Sequence, residues 1–359
     1  MIQPALFSRL NENVEPRILV IKPSALGDIC HSLPVLEFLA SRFPRGKIDW
    51  VVNRSFAPLL VPHPAINSVI PFDRKAISPW KFVHAWSALI NRLRQGRYDL
   101  VIDLQGLLRS AVMASATGCS LRLGPGDARE GARFLYSHQS NPGPVGTHAI
   151  MRNWAFAKML GAGPNPSAGR MFVAPESLSA ARQLLASRPS PYWMLAPGAR
   201  WITKRWPVDH FATIGKRLIE AHGGTAVVVG APDEKDITTE LAHKLGTGAL
   251  ALGGETTVSV LSGLLAHADL VIANDSGPLH LACSLGRPVA SPFLCTRIDL
   301  TGPYGQISRA IAAPVGCQGS MHRICPTRQE CMAALNPDLL WNAITSSLSG
   351  PPPWSLRIN

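Results

Sequence analysis

Three stretches of the 359-residue chain set polar side chains where an apolar run ends and a helical pattern begins. IKPSALGDICHSLP, residues 21–34, holds Lys22 and, one residue after Gly27, Asp28. At such a turn Asp28 is either a helix N-cap or a general base for a substrate hydroxyl. Lys22 stands ready to pair with Asp28 or to hold a substrate anion. PGARWITKRWPVDHF, residues 197–211, carries Arg200, Thr203, Lys204 and Arg205 between a strand and a helix, where cations stabilise charge on a departing phosphate. Trp201 and Trp206 in the same loop either clamp it or stack on a base. ANDSGPLHLACSLGRP, residues 273–288, ends a strand at Asn274–Asp275 and opens a helix with Ser276–Gly277–Pro278. Backbone N–H groups at a helix start suit a diphosphate, and the same residues also make an ordinary capped turn. GAPDEKD, residues 230–236, offers Asp233 and Glu234, either for ribose hydroxyls or as helix-start acids. Asp103, with Gln105 and Gly106, either shapes a site or supports a loop.

The elements that must position these groups alternate along the chain. Strands are expected at 17–24, 48–53, 68–72 and 98–104, with helices at 28–43, 80–95, 107–116 and 148–160. After two Pro/Gly/Ser-rich patches, at 161–169 and 187–193, the alternation restarts. Strands are expected at 192–198, 225–231, 249–254, 269–275 and 288–294, and helices at 208–222, 233–245, 258–268, 278–285 and 337–348. Short apolar strands separated by helices predict doubly wound parallel sheets, so the fold class is α/β with two Rossmann-like domains. The expected division is 1–175, then 190–335, then a C-terminal helix and tail at 336–359. Ligands of such sheets bind outside the carboxyl ends of the strands, so two facing domains would share one cleft. Neither half holds G-x-G-x-x-G or G-x-x-x-x-G-K-[ST], which argues against a dinucleotide fingerprint or a P-loop.

A chain that is 46% hydrophobic and 16% charged buries a core and is not disordered. No apolar run is long enough to span a bilayer, and the N-terminus lacks a signal-peptide layout. Seven cysteines in a chain of this length fit a reducing compartment, so cytoplasmic residence is expected. The net charge of +12 is uneven: residues 1–170 hold 20 Lys and Arg against 10 Asp and Glu. A basic half points to an acidic partner. Basic helices and aromatic RNA motifs are missing, which disfavours nucleic acid. Arg74, Lys75, Lys81, Arg109 and Arg129 are the cations placed to meet such a partner. Cys317, Cys325 and Cys331 with His322 invite a metal reading, but no C-x-x-C pair occurs.

PGARWITKRWP, GAPDEKD and NDSGPLHLACSLGRP resemble the donor-side motifs of the glycosyltransferase family 9 heptosyltransferases. The strand-LGD-helix opening and DLQGLLRS, residues 103–110, resemble that family's first domain, and the similarity spans roughly 17–345. The resemblance implies a GT-B fold and inverting transfer of heptose from ADP-heptose to an acidic, lipid-linked lipopolysaccharide core acceptor. It implies Asp28 as the base, and Lys204, Thr203, Arg200, Glu234, Asp275, Ser276, Gly277 and His280 on the donor. Acceptor contacts fall to Lys22, Arg74, Lys75, Arg109 and Arg129, and peripheral contact with the inner membrane follows from a lipid acceptor. No cofactor and no metal are expected, and no D-x-D pair occurs. Cysteine-bearing tails recur in the resembled family, which weighs against a metal reading of Cys317, Cys325 and Cys331. One departure is FLCTRIDLTGPYG, residues 293–305, where Leu294 and Cys295 replace a Gly-Pro turn. The competing reading is another nucleotide-sugar enzyme of this fold, with a different donor or as an epimerase.

Overall fold

Runs such as RILVI and LVIA are apolar at every buried position because their strands are covered on both faces. The computed structural model describes residues 10, 15–73, 79–166, 169–325 and 330–346. Contacts divide the chain into two compact units, Met1–Phe172 and Val173–Asn359.

The first unit holds β1 (Arg17–Ile21), β2 (Lys47–Asn53), β3 (Ser68–Phe72), β4 (Leu100–Asp103), β5 (Arg122–Pro125) and β6 (His138–Ser140). They form one sheet in the order β3-β2-β1-β4-β5-β6, with every pairing parallel. The second unit repeats the winding with β7 (Tyr192–Ala196), β8 (Thr225–Val228), β9 (Ala249–Ala251), β10 (Leu270–Ala273), β11 (Val289–Phe293) and β12 (Ala310–Ala312). Its order is β12-β11-β10-β7-β8-β9, again parallel throughout. Strand order therefore reverses between β1 and β4, and between β7 and β10, the positions where open α/β sheets bind ligands.

Register carries the site residues to these points. Ile21 pairs with Asp103, so Lys22 leaves β1 beside Leu104. Ala273 pairs with Ala196, so Asn274 leaves β10 beside Pro197.

Three features differ from the sequence expectation. The helix expected at 28–43 is two helices, Leu26–Cys30 and Leu33–Arg42, broken at His31–Ser32. Pro34 sits in the first turn of the second, where its missing N–H costs nothing. Strands β5, β6 and β12 were not expected, because RLGP, HQS and AIA are too short to show a pattern. A helix at Pro175–Leu185 lies where a linker was expected, and it packs on the helix Val258–His267. The last helix, Pro337–Ser346, buries Leu340 and Ile344 in the same core cluster as Trp193, Phe211 and Ile272.

Candidate active site

In the first unit the turn after β1 starts the helix Leu26–Cys30, whose N-cap is Ala25. Asp28 is its third residue and reaches back, Oδ2 accepting from the Ala25 N–H at 2.9 Å. That bond sets the direction of an exposed carboxylate, which keeps a second oxygen for a substrate proton. Lys22 is buried, and its ammonium donates to the Leu104 carbonyl at 2.8 Å. Burial lowers its pKa from the usual lysine value, while the charges of Asp28 and Asp103 act the other way. Asp103 is fully buried and serves the loop: Oδ1 accepts from Gln105 N and Gly106 N, and Oδ2 accepts from the Tyr136 hydroxyl at 2.7 Å. Gly106 has φ +69°, and a Cβ there would meet Pro125 at 2.5 Å, so the turn requires glycine.

These groups border a cavity of about 350 Å³ at the carboxyl ends of β1, β4, β5 and β6. Asp28, Lys22, Gln105, Arg129, Arg152 and Asp127 all line it. Arg152 is ion-paired with Asp127, and neither was singled out by sequence reasoning. Arg152 lies in an unremarkable helical run, so only the fold reveals its place. Arg129 is brought to the cavity. Arg109 is not among its walls; its guanidinium lies over the Phe72 ring at 6.0 Å. Arg74 and Lys75 lie outside the described residues.

In the second unit, Asn274 is fully buried and ties the strand ends together. Its Nδ2 donates to the Pro197 carbonyl at 2.7 Å, and its Oδ1 accepts from Trp206 N at 3.1 Å. Beside it, Lys204 Nζ donates to Asp275 Oδ2 at 2.8 Å and to the Asp275 carbonyl at 3.2 Å. Asp275 also meets His280 Nε2 at 3.2 Å and accepts from Thr301 Oγ1 at 3.2 Å. Burial alone would raise the Asp275 pKa. The His280 hydrogen bond and the Lys204 charge outweigh it and hold the carboxyl well below the usual range. Ser276 is the N-cap of the helix Gly277–Ser284, and its hydroxyl is buried without a hydrogen-bond partner. An unmet donor at a helix N-terminus, beside a lysine, has the chemistry that suits an anion.

The sequence pattern of glycosyltransferase family 9 (heptosyltransferase) matches residues 86–330. The chain belongs to this family. It is 30% identical over 361 residues to lipopolysaccharide heptosyltransferase 1 of Pseudomonas aeruginosa strain PAO1, covering 93% of this chain and 99% of that one. The structure of E. coli heptosyltransferase WaaC with ADP superposes with a TM-score of 0.73 at 26% identity, covering 92% of this chain and 99% of that one. A glycosyltransferase of family 9 from Veillonella parvula gives a TM-score of 0.78 at 21% identity, which shows the shared fold. The protein is thus a glycosyltransferase built of two Rossmann-like units, as the sequence motifs implied.

Within this family-9 enzyme the donor-side candidates fall into two groups. Lys204, Asp275, Ser276 and Gly277 share one corner. Arg200 is exposed on the turn that precedes Lys204. Glu234 lies across from Gly198, where any Cβ would strike its carboxylate at 2.1 Å, so glycine makes room for it. Its Oε2 accepts from Ala231 N at 2.9 Å, which is the helix-start role. Thr203 and His280 lie behind this surface. Thr203 is 3% exposed and donates to the His322 carbonyl, and His280 is 6% exposed against Asp275. In this structure each braces a neighbour: Thr203 the segment at His322, and His280 the Asp275 carboxylate. Trp206 is likewise core, 1% exposed, with Nε1 donating to the Leu335 carbonyl. Trp201 is held between Lys204 and Arg323, each 4.9 Å from its ring.

Proposed function

We propose that the enzyme moves a heptose from ADP-heptose to an acidic, lipid-linked sugar of the lipopolysaccharide core, with inversion. The observation that carries this reading is the content of the two switch points. One presents the Asp28 carboxylate at a cavity rimmed by Arg129, Arg152 and Lys22, and the other presents Lys204 with the unmet Ser276 hydroxyl. The relative solved with ADP, and the lipopolysaccharide heptosyltransferase of P. aeruginosa, support that choice of donor and acceptor.

In this reading the acceptor sugar occupies the first cavity. Arg129 and Arg152 take its anionic group, Arg152 exchanging Asp127 for the substrate. Asp28 accepts the proton of the attacking hydroxyl as the bond to the anomeric carbon forms. The bond from that carbon to the diphosphate breaks on the opposite side, and the released charge is held by Lys204 and the helix start at Ser276–Gly277. Asp275, kept ionised, holds Lys204 in place. Glu234 takes the ribose hydroxyls. The basic balance of residues 1–170 suits an anionic lipid surface, so the protein meets the inner membrane peripherally. Among the described residues no helix is long and apolar enough to cross a membrane.

The test is incubation with ADP-heptose, with and without a Kdo-bearing lipid acceptor. The expected result is ADP release that depends on the acceptor. An isomerised sugar nucleotide formed without acceptor would establish the epimerase reading instead.

A further inference from the structure

Behind the Lys204 turn, the second unit holds a chamber that no step of sugar transfer uses. It encloses about 10 Å³, the scale of one water or one ion. Cys295, Cys317, Cys325 and Cys331 all line it, together with His322 and Thr203, and no lysine, arginine or carboxylate does. The four cysteines come from separate places: just past the end of β11, the segment after β12, and the helix Glu330–Ala334. Cys325, Cys317 and Cys295 lie close enough to act electrostatically on the Cys331 thiol. No disulfide joins any of them.

Four thiols lining an ion-sized space supply the donor types of a tetrahedral site for a soft divalent cation. An apolar core would gain as much from alanine or valine in these places, and one cysteine would need no explanation. We propose that Cys295, Cys317, Cys325 and Cys331 form a tetrathiolate site for one thiophilic divalent cation of the zinc type, structural in role. As the side chains stand, no three of the described His, Cys, Asp or Glu groups are arranged to hold an ion. Binding therefore draws the sulfurs inward to about 2.3 Å from the metal, each thiol releasing its proton to solvent. Cys317 and Cys325 are only half-buried, which leaves a way in.

The site connects to the donor corner. Cys295 Sγ donates to Thr203 Oγ1 at 3.4 Å, and Thr203 Oγ1 donates to the His322 carbonyl at 2.8 Å. Cys295 gives up that donation on losing its proton as the metal binds. Thr203 still lines the same chamber and immediately precedes Lys204, so a bound ion braces the turn that presents this lysine by packing. The proposal stands on the chamber alone and is independent of the sugar donor and acceptor.

The experiment uses the full chain, stripped with chelator under reducing, anaerobic conditions and titrated with Co²⁺. Expected are the thiolate-to-cobalt and d–d bands of a tetrahedral site, saturating at one ion per chain, displaced by Zn²⁺ with a rise in melting temperature. Cys317→Ser and Cys325→Ser should each weaken cobalt binding by more than the ~10–100-fold typical of outer-shell changes. Cys119→Ser, in the first unit, should titrate like the parent. Circular dichroism of each variant separates loss of ligand from loss of fold, and the titration of the unaltered chain needs no variant. Absence of a tetrahedral cobalt signal, its survival in both Cys317→Ser and Cys325→Ser, or recovery of the four cysteines as two disulfides that take up no cobalt would each overturn the proposal.

Discussion

Asp28 and Lys204 differ in what their removal should expose. Asp28→Asn keeps an oxygen to accept from the Ala25 N–H, so the helix start survives while the base is lost. Turnover should fall ~10²–10⁴-fold, measured as acceptor-dependent ADP release, with donor affinity by calorimetry nearly unchanged. A matching loss of donor affinity would count against the base. Lys204→Ala removes the cation facing a carboxylate that is 4% exposed. Donor affinity and turnover should drop together, kcat/KM by ~10²–10³-fold, because the cation meets the phosphate before and during departure. The melting temperature should fall as well, since Asp275 then keeps a buried charge with less to balance it. Unaltered donor affinity would refute the phosphate role. The types of these two residues, at strand-to-helix turns, were readable in the sequence. Their partners were not: the Lys204–Asp275 bond joins residues 71 positions apart.

At the scale of elements, long patterned segments were legible and short ones were not. The helix 208–222 stands where its amphipathic spacing put it, and the strands of the two sheet centres lie within their expected spans. Strands β5, β6 and β12 exist because a neighbour offers a ladder of N–H and C=O groups, a cause that lies outside their own residues. The helix Pro175–Leu185 carries start signals, Pro at its first turn and Glu176 beside it, yet the surrounding Pro/Gly/Ser patches obscured them. Its packing rests on Gly263, where a Cβ would stand 2.2 Å from the Ser177 carbonyl. Backbone cannot yield as a side-chain tip does. Gly263→Ala should therefore cost about 1–3 kcal/mol of stability, read as a lower denaturant midpoint, while donor affinity at the β7–β10 switch point stays close to the parent's. An unchanged midpoint would mean that these helices slide apart freely.

For the whole molecule, charge is the property that sequence reports most directly. The excess of cations in residues 1–170 predicts that added salt weakens the anionic acceptor's use more than the donor's. Acceptor kcat/KM should fall several-fold between ~50 and ~500 mM salt, where the screening length shrinks from beyond to below ~10 Å, with the KM for ADP-heptose changing less. Equal salt dependence of both substrates would remove the basic half from acceptor capture. What the sequence determined by itself was the set of strand-to-helix turns, the α/β class, the family and the charge asymmetry, because each is written in local pattern or composition. Only the tertiary structure decided that Arg152 shares a cavity with Asp28, that Thr203 and His280 are buried beside Lys204 and Asp275, and that Cys295 joins three cysteines more than twenty residues away. Those neighbours are set by parallel pairing and strand order, which bring distant residues together without leaving a mark on the sequence around them.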